Sequence, residues 1–233
     1  VTGVQTCALP ISLSLSRHSL TLKRSFFPLF GRFIYRLTDD AESVTFATHA
    51  VLEYFETSGC IYLELRTTPR AVPETGLTLE GYVDAVLAGF AAFSLSRTRT
   101  DDRMLAKLLL AVDRRHSVEV AEEVVRIAMA REEVVGIDVC GDPTKGDAKV
   151  LVPAFARAKK AGLKVTVHLG EVGDALAGRR PKLMVEQIPS QIETQADDLL
   201  LVPDRLGHAT FLSQATTEHI LRHKLPIEIC VRS

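Results

Sequence analysis

The sequence has few cysteines and almost no net charge, and each shortage excludes a class of protein. The four cysteines, Cys7, Cys60, Cys140 and Cys230, lie far apart in the 233 residues. This indicates reduced thiols rather than a disulfide framework. Lys and Arg number 28 against 29 Asp and Glu, whereas nucleic-acid-binding proteins usually carry a clear basic excess. We therefore expect a cytoplasmic protein with no nucleic-acid partner.

Long apolar runs are also lacking. No uninterrupted run approaches the roughly 18 residues that span a membrane, so we expect no membrane partner. The composition, 46% hydrophobic and 24% charged, is typical of an ordinary globular protein with one large domain.

The amino-terminal stretch differs from the rest. Residues 1–12 (VTGVQTCALPIS) show neither helical nor strand periodicity and lack the basic start of a secretion signal. We interpret them as a non-native or disordered leader before a domain that spans residues 13–233. From Ser12 to Thr38 there are basic residues but no acidic one, which is typical either of a transit peptide or of the basic flank of a surface helix.

The remaining chain alternates between short apolar runs and helical patterns. Six runs resemble parallel strands buried on both faces: Cys60–Leu65, Lys107–Val112, Val134–Cys140, Lys164–Leu169, Arg205–Ala209 and Pro226–Val231. Helical patterns occupy Leu79–Phe93, Ser117–Arg131, Asp147–Ala161 and Thr216–His223, while Val172–Gln195 is irregular. This alternation predicts one α/β domain.

Two architectures fit such an alternation. A doubly wound open sheet is the alternative, but no glycine-rich phosphate motif follows any of the strands. We therefore favour a (β/α)8 TIM barrel. Only six of its eight strands are recognisable, so we expect the barrel to be incomplete in this chain.

Polar residues at the predicted strand ends indicate chemistry, because active sites of such barrels lie at the carboxyl ends of the strands. His168 ends one strand, Glu171 follows three residues later, and His208 ends the next strand. Imidazole is a zinc ligand, and a neighbouring carboxylate or imidazole can act on a metal-bound water. The alternative is a core histidine beside a solvated glutamate.

Three further strand ends carry candidate binding residues. Gly141 suits a turn where backbone approaches a planar ligand closely, or a simple strand-ending turn. Thr67, Thr68 and Arg70, around Pro69, offer two hydroxyls and a guanidinium for phosphate, or a loop salt bridge. Asp113 can orient a sugar or form an ion pair at the barrel rim.

Six segments carry a resemblance to a known family: YLELRTTPR, LLAVDRR, VVGIDVCGDPTKGDA, AKKAGLKVTVHLGE, PDRLGHATFL and LPIEIC. From about Phe26 to Ser233 the chain resembles the adenosine deaminase superfamily, and within it the adenosine deaminase-like branch that acts on N6-methyl-AMP. The resemblance implies a metal-dependent hydrolase (amidohydrolase) barrel with one zinc ion per site. It also implies a monomer that binds a small purine nucleotide or nucleoside.

The resemblance assigns roles to individual residues. His168 resembles a zinc ligand, Glu171 the proton donor to the purine ring, and His208 the residue beside the attacking water. Gly141 would meet the purine through its backbone. The implied nucleotide contacts are Tyr35, Thr67, Thr68, Pro69, Arg70 and Asp113, of which Tyr35 departs from the histidine frequent in the family. The implied reaction is hydrolysis of a cyclic amidine, converting N6-methyl-AMP to IMP and methylamine.

The chain departs from the family pattern in its metal ligands. The family has a His-x-His pair at its first strand, and no His-x-His occurs in this sequence. Its Asp-Asp pair at the eighth strand would lie beyond Ser233. We therefore expect this polypeptide to be inactive by itself. The alternatives are an adenosine deaminase, a catalytically dead barrel remnant that serves as a scaffold, and a metal-independent phosphate-sugar barrel enzyme.

Overall fold

A computed structural model describes residues 33–96, 104–143, 145–171 and 191–229, in which strands and helices alternate. The strands are β1 (Tyr62–Thr67), β2 (Leu105–Asp113), β3 (Val134–Cys140), β4 (Lys164–Leu169), β5 (Arg205–His208) and β6 (Ile227–Glu228). They form one sheet in chain order from β1 to β6. All six predicted strands are present, and the bounds of β3 and β4 coincide with the prediction.

Six α-helices accompany these strands in the described part of the chain. They are α1 (Ala41–Thr57), α2 (Leu79–Ser96), α3 (Val118–Met129), α4 (Val152–Lys160), α5 (Gln191–Leu199) and α6 (Gln214–His223). The sequence did not predict α1 or α5. Short 3-10 helices cover Ile34–Leu37, Pro73–Thr75 and Ala148–Leu151. The expected leader and most of the irregular stretch 172–195 lie outside the described residues.

The chain divides into two compact units, Val1–Leu108 and Leu109–Ser233. In the first unit, α1 begins with a capping box in which the Asp40 carboxylate accepts from the Ser43 backbone N–H at 2.7 Å. Val44, Thr48 and Leu52 then recur at helical spacing and are buried. The helix therefore presents one continuous face to the core of its unit.

Helix α2 packs closely on α1 because a glycine stands at their contact. A Cβ atom at Gly89 would lie 2.6 Å from the Cβ of Thr48 and 2.8 Å from the Thr45 carbonyl oxygen. Thr45 also donates a hydrogen bond from its hydroxyl to the Ala85 carbonyl at 3.0 Å. Only glycine allows the two backbones to approach this closely.

Helix α2 is long and apolar. It has 18 residues with a mean hydropathy of 1.2, enough by length and composition to cross a membrane. A core helix of a globular unit passes the same test, and 33% of α2 is buried, including Gly89 at the contact with α1. Glu80 and Asp84 interrupt the sequence of α2, so it is not an uninterrupted apolar run.

The second unit holds the parallel strands β3 to β6. In the pairing of β4 with β5, His168 lies opposite Gly207 and Leu169 opposite His208, while Asp138 of β3 lies opposite Thr166 of β4. Because parallel strands end at the same edge of a sheet, this register brings the polar ends of β3, β4 and β5 together.

Helices α3 and α4 supply apolar side chains to the core of this unit. Ser117 caps α3 by accepting from the Val120 backbone N–H, and Val124, Ile127 and Ala128 of α3 are buried. Phe155 of α4 is also fully buried. The candidate site is thus held on a packed sheet rather than on loops alone.

Candidate functional site

His168 is held by a buried carboxylate of the neighbouring strand. Its Nδ1 donates to Asp138 Oδ1 at 3.0 Å and lies 3.2 Å from the Val139 carbonyl oxygen. Asp138 is completely buried. A carboxylate at Nδ1 fixes the ring orientation and the tautomer, and leaves Nε2 as the nitrogen that can accept a proton or ligate a metal ion.

Gly207 of β5 makes room for the His168 ring. A Cβ atom at Gly207 would lie 3.3 Å from Cδ2 and 3.4 Å from Cγ of His168. A larger residue at Gly207 would therefore press on the imidazole. In the motif Leu206-Gly207-His208, Gly207 leaves space for the His168 ring, and His208 lies beside that ring.

His168, His208 and Glu171 lie close to one another. The ring centroids of His168 and His208 are 5.1 Å apart, and His208 Nε2 is 3.7 Å from Glu171 Oε2. The structure therefore brings together the three residues that the sequence predicted as catalytic or metal-binding. Two imidazoles and a carboxylate can together accept, hold and donate protons.

The backbone at His208 is unusual for a residue with a side chain. His208 and Ala209 have φ values of 61° and 50°, in the left-handed region that non-glycine residues rarely adopt. The Ala209 backbone N–H donates to the Leu169 carbonyl at 2.8 Å, which holds this conformation against the end of β4. Such backbone strain is concentrated at functional sites in proteins.

A buried ion pair supports the end of β4 from behind. Arg114 donates from Nη1 to Asp198 Oδ1 at 2.5 Å and from Nη2 to Oδ2 at 3.1 Å, and both side chains are only 4% exposed. Nη2 also donates to the His168 carbonyl oxygen at 2.6 Å. Burial raises the pKa of the Asp198 carboxyl, and the Arg114 guanidinium offsets part of this shift. The pair thus links the end of β2, the end of β4 and helix α5.

Asp113 and Gly141 lie against each other at the ends of β2 and β3. A Cβ atom at Gly141 would lie 2.8 Å from the Asp113 carboxylate, and Gly141 has a φ of 98° that favours glycine. Asp113 accepts from the Arg115 backbone N–H at 2.9 Å and from its guanidinium Nη2 at 2.7 Å. Whether either residue contacts a ligand stays a prediction.

The predicted phosphate residues of the first unit form a cluster. The Arg70 guanidinium carbon lies 4.6 Å from the Tyr35 ring centroid and 5.0 Å from that of Tyr82. Arg70 Nη2 donates to the carbonyl and the hydroxyl of Thr38. The Thr67 hydroxyl is 2.9 Å from the Tyr82 hydroxyl. Tyr82 thus contacts or lies near Tyr35, Thr67 and Arg70. The sequence did not identify Tyr82 as a site residue.

Two other members of the predicted phosphate set follow the same strand. Pro69 is buried and Thr68 is half-buried. The role of the set in binding phosphate stays a prediction. In the structure, the observed partners of Arg70 lie within its own unit.

The residues that the structure describes do not complete a metal site. Within residues 33–96, 104–143, 145–171 and 191–229, no group of three or more His, Cys, Asp or Glu side chains is placed to hold a metal ion. His168 has the carboxylate partner that is usual for a metal-ligating histidine. A catalytic zinc ion, however, needs three protein ligands. His168 is therefore a suitable zinc ligand, but the described residues do not supply the other protein ligands that a catalytic zinc ion needs.

Comparison with known proteins identifies the family. The model of the adenosine deaminase family matches residues 17–233. The chain belongs to the adenosine deaminase family. Members of this family are generally metal-dependent. The resemblance inferred from the six sequence segments is confirmed.

Several proteins similar to this chain are N6-methyl-AMP deaminases. The N6-methyl-AMP deaminase of Danio rerio is 37% identical over 211 residues, which are 86% of this chain and 55% of that protein. The apo N6-methyl-AMP deaminase from Arabidopsis thaliana matches with a TM-score of 0.74 at 34% identity, over 88% of this chain and 57% of that one. The fold is accordingly part of a (β/α)8 barrel, as predicted.

A second Arabidopsis structure was solved with a nucleotide. Arabidopsis ADAL complexed with IMP matches with a TM-score of 0.75 at 32% identity, over 91% of this chain and 60% of that one. The chain thus spans little more than half the length of the relatives it matches.

Proposed function

We propose that the full-length protein hydrolytically deaminates N6-methyl-AMP, so that water replaces the methylamino group at carbon six and IMP and methylamine are released. The observation that carries this proposal is the convergence of His168, His208 and Glu171 at the ends of β4 and β5. The relatives support the substrate, because the Danio rerio protein at 37% identity and the Arabidopsis thaliana structure at 34% identity are named N6-methyl-AMP deaminases.

The side chains of this cluster divide the proton transfers between them. The attacking water must lose a proton, and the ring nitrogen beside carbon six must gain one. We assign the first to His208, whose left-handed backbone fixes its ring beside His168. We assign the second to Glu171, 3.7 Å from His208 Nε2. General acid and base groups of this kind contribute about 10²–10⁴-fold to rate.

The proposed metal is zinc, with His168 as one of its ligands. The Asp138 carboxylate at Nδ1 supports this role, because metal-ligating histidines usually donate their other ring N–H to such a group. When bound, zinc would supply Lewis acidity and lower the pKa of a bound water. Since the described residues do not complete its ligand set, we propose that this chain has no deaminase activity by itself.

Free adenosine is the second candidate substrate, and the Arg70 cluster provides the test. Full-length protein should turn over N6-methyl-AMP faster than adenosine at equal concentration. An Arg70→Ala variant should lose rate on the monophosphate and leave the slower adenosine rate nearly unchanged, because only the monophosphate offers an anion to a guanidinium. Exposed Arg36 lies in the neighbouring 3-10 helix, and Arg36→Ala is the matched control.

Other results of these assays would favour one of the alternative functions or roles. Equal losses on both substrates would show that Arg70 acts by holding Tyr35 and Thr38 rather than by binding phosphate. A higher rate on adenosine than on N6-methyl-AMP would contradict the proposed substrate. If purine nucleotides neither react nor raise the melting temperature of the full-length protein, the alternative of a non-catalytic scaffold is favoured.

A further inference from the structure

Helix α6 carries two histidines one turn apart near its carboxyl end. Side chains four residues apart lie on the same face of a helix. The ring centroids of His219 and His223 are 4.3 Å apart, with an interplanar angle of 36°. His223 is exposed and His219 is half-buried. Neither residue has a part in the deamination proposed above.

Two imidazoles in this arrangement can chelate one divalent ion. Zn–N bonds of about 2.0–2.1 Å at a tetrahedral angle place the two ligating nitrogens roughly 3.3 Å apart. The separation of 4.3 Å between the ring centroids is compatible with both imidazoles reaching one ion. Imidazole suits zinc, nickel and copper among the divalent ions. A pair of histidines at this spacing on one helix face is also how some zinc enzymes hold their metal.

The surrounding charges act in both directions. Partial burial, followed by the nearby His223 and Arg222, lowers the pKa of His219. His223 lies in the last turn of α6, where the helix dipole favours positive charge. The Glu218 carboxylate, which accepts from Gln214 at 2.9 Å, is adjacent to His219. The positive charge of Arg222, by contrast, disfavours a cation at this place.

We propose that His219 and His223 form a two-imidazole binding site for a divalent transition-metal ion, with water completing its coordination. The site is distinct from the strand-end cluster of His168, His208 and Glu171, and it does not depend on the proposed deaminase function. It has a practical consequence. The amount of zinc that this protein binds measures the number of active sites only in a variant that lacks the α6 site.

The test uses Ni²⁺, because imidazole pairs bind it and it does not oxidise the cysteines. Isothermal titration at pH 7.5, well above the imidazole pKa of about 6.5, should show saturable binding of Ni²⁺ to the whole chain. His219→Ala and His223→Ala should each weaken that binding by roughly tenfold or more, because one imidazole is no longer a chelate. His49→Ala, a change of the single histidine of α1, is the matched control and should leave it unchanged.

Localisation and folding are checked separately. Substoichiometric Cu²⁺ should broaden the backbone amide NMR signals of residues 214–224 in wild type and not in His223→Gln, a variant at an exposed position that retains a polar side chain. Circular dichroism establishes that each variant is folded. The proposal is overturned if wild type binds no Ni²⁺, or if the double variant His219→Ala/His223→Ala binds it as wild type does.

Discussion

At the level of single residues, two carboxylates each hold a neighbouring side chain at the polar strand ends of the second unit. Asp138 orients His168 at 3.0 Å, and Asp113 holds the Arg115 guanidinium at 2.7 Å. The first contact sets which nitrogen of the imidazole faces a ligand. The second contact holds the Arg115 guanidinium at the end of β2. Because this contact needs an ionised Asp113 carboxylate, it makes the stability of the fold depend on pH.

Asp113 leads to a prediction about that pH dependence. Burial alone would raise the pKa of its carboxyl, but hydrogen bonds and charge from Arg115 outweigh burial and hold the pKa below its ordinary value of 3.8. A carboxyl with a depressed folded-state pKa stabilises the fold above its unfolded-state pKa, and this contribution is lost as pH falls through the folded-state value. Asp113→Asn should therefore destabilise the chain at pH 7 by about 1–3 kcal/mol.

The measurement is urea unfolding of wild type and Asp113→Asn at pH 7 and again below pH 3.8. The difference in unfolding free energy should shrink at the acidic pH, because the wild-type carboxyl then becomes neutral as well. Asp84→Asn, at an exposed position of α2, should show little difference at either pH. A difference of the same size at both pH values would contradict this account.

Single residues also show how far sequence reasoning reaches. His168, Glu171 and His208 were predicted because polar residues at the ends of apolar strands have few structural reasons to be there. Asp138 was not selected as a site residue, because an acid inside the apolar run Val134–Cys140 says nothing about its partner. The signal was nevertheless present, since a carboxylate that is fully buried in a strand must be paired.

At the level of elements, the Asp198 side chain connects helix α5 to the strand ends. Asp198 accepts two hydrogen bonds from Arg114, which also binds the His168 carbonyl. Removing one partner of a buried ion pair leaves the other charge without compensation, which costs about 3–5 kcal/mol. Asp198→Ala should therefore strongly destabilise the second unit.

The neighbouring residue provides a matched control for this prediction. Asp197 pairs with Lys149 at 3.0 Å on the surface, and exposed pairs contribute about 0–1 kcal/mol. Urea unfolding of Asp197→Ala and Asp198→Ala compares the two directly. Equal losses of stability in the two variants would mean that the Arg114–Asp198 pair does not hold α5 to the strand ends.

The elements that the sequence missed have physical reasons. Helix α1 begins with a capping box at Asp40 and Ser43 and carries a buried stripe, but the exposed Phe46 and Tyr54 place large hydrophobic residues outside that stripe and obscure its helical period. Helix α5 was merged into an irregular stretch, because glycine and proline before residue 190 mask its start. By contrast, β3 and β4 are rich in β-branched residues, and their ends are sharp in sequence.

At the scale of the whole molecule, sequence alone was enough for the family and for one cluster of the site. Family membership rests on segments spread over the chain and is confirmed by the match over residues 17–233. The geometry that places His168 opposite Gly207 and beside His208 needed the structure, because strand register is a property of pairing rather than of any one segment.

The central claim is that the ends of β4 and β5 carry the proton-transfer groups of a deaminase. The most direct measurement is methylamine release from N6-methyl-AMP, with zinc added, by the full-length protein and its Glu171→Gln variant. This chain alone and its His168→Ala variant are assayed beside them.

We expect turnover by the full-length protein and a loss of about 10²–10⁴-fold in Glu171→Gln. We expect no turnover by this chain above its His168→Ala variant. A wild-type rate in Glu171→Gln, or methylamine release by this chain that depends on His168, would contradict the central claim.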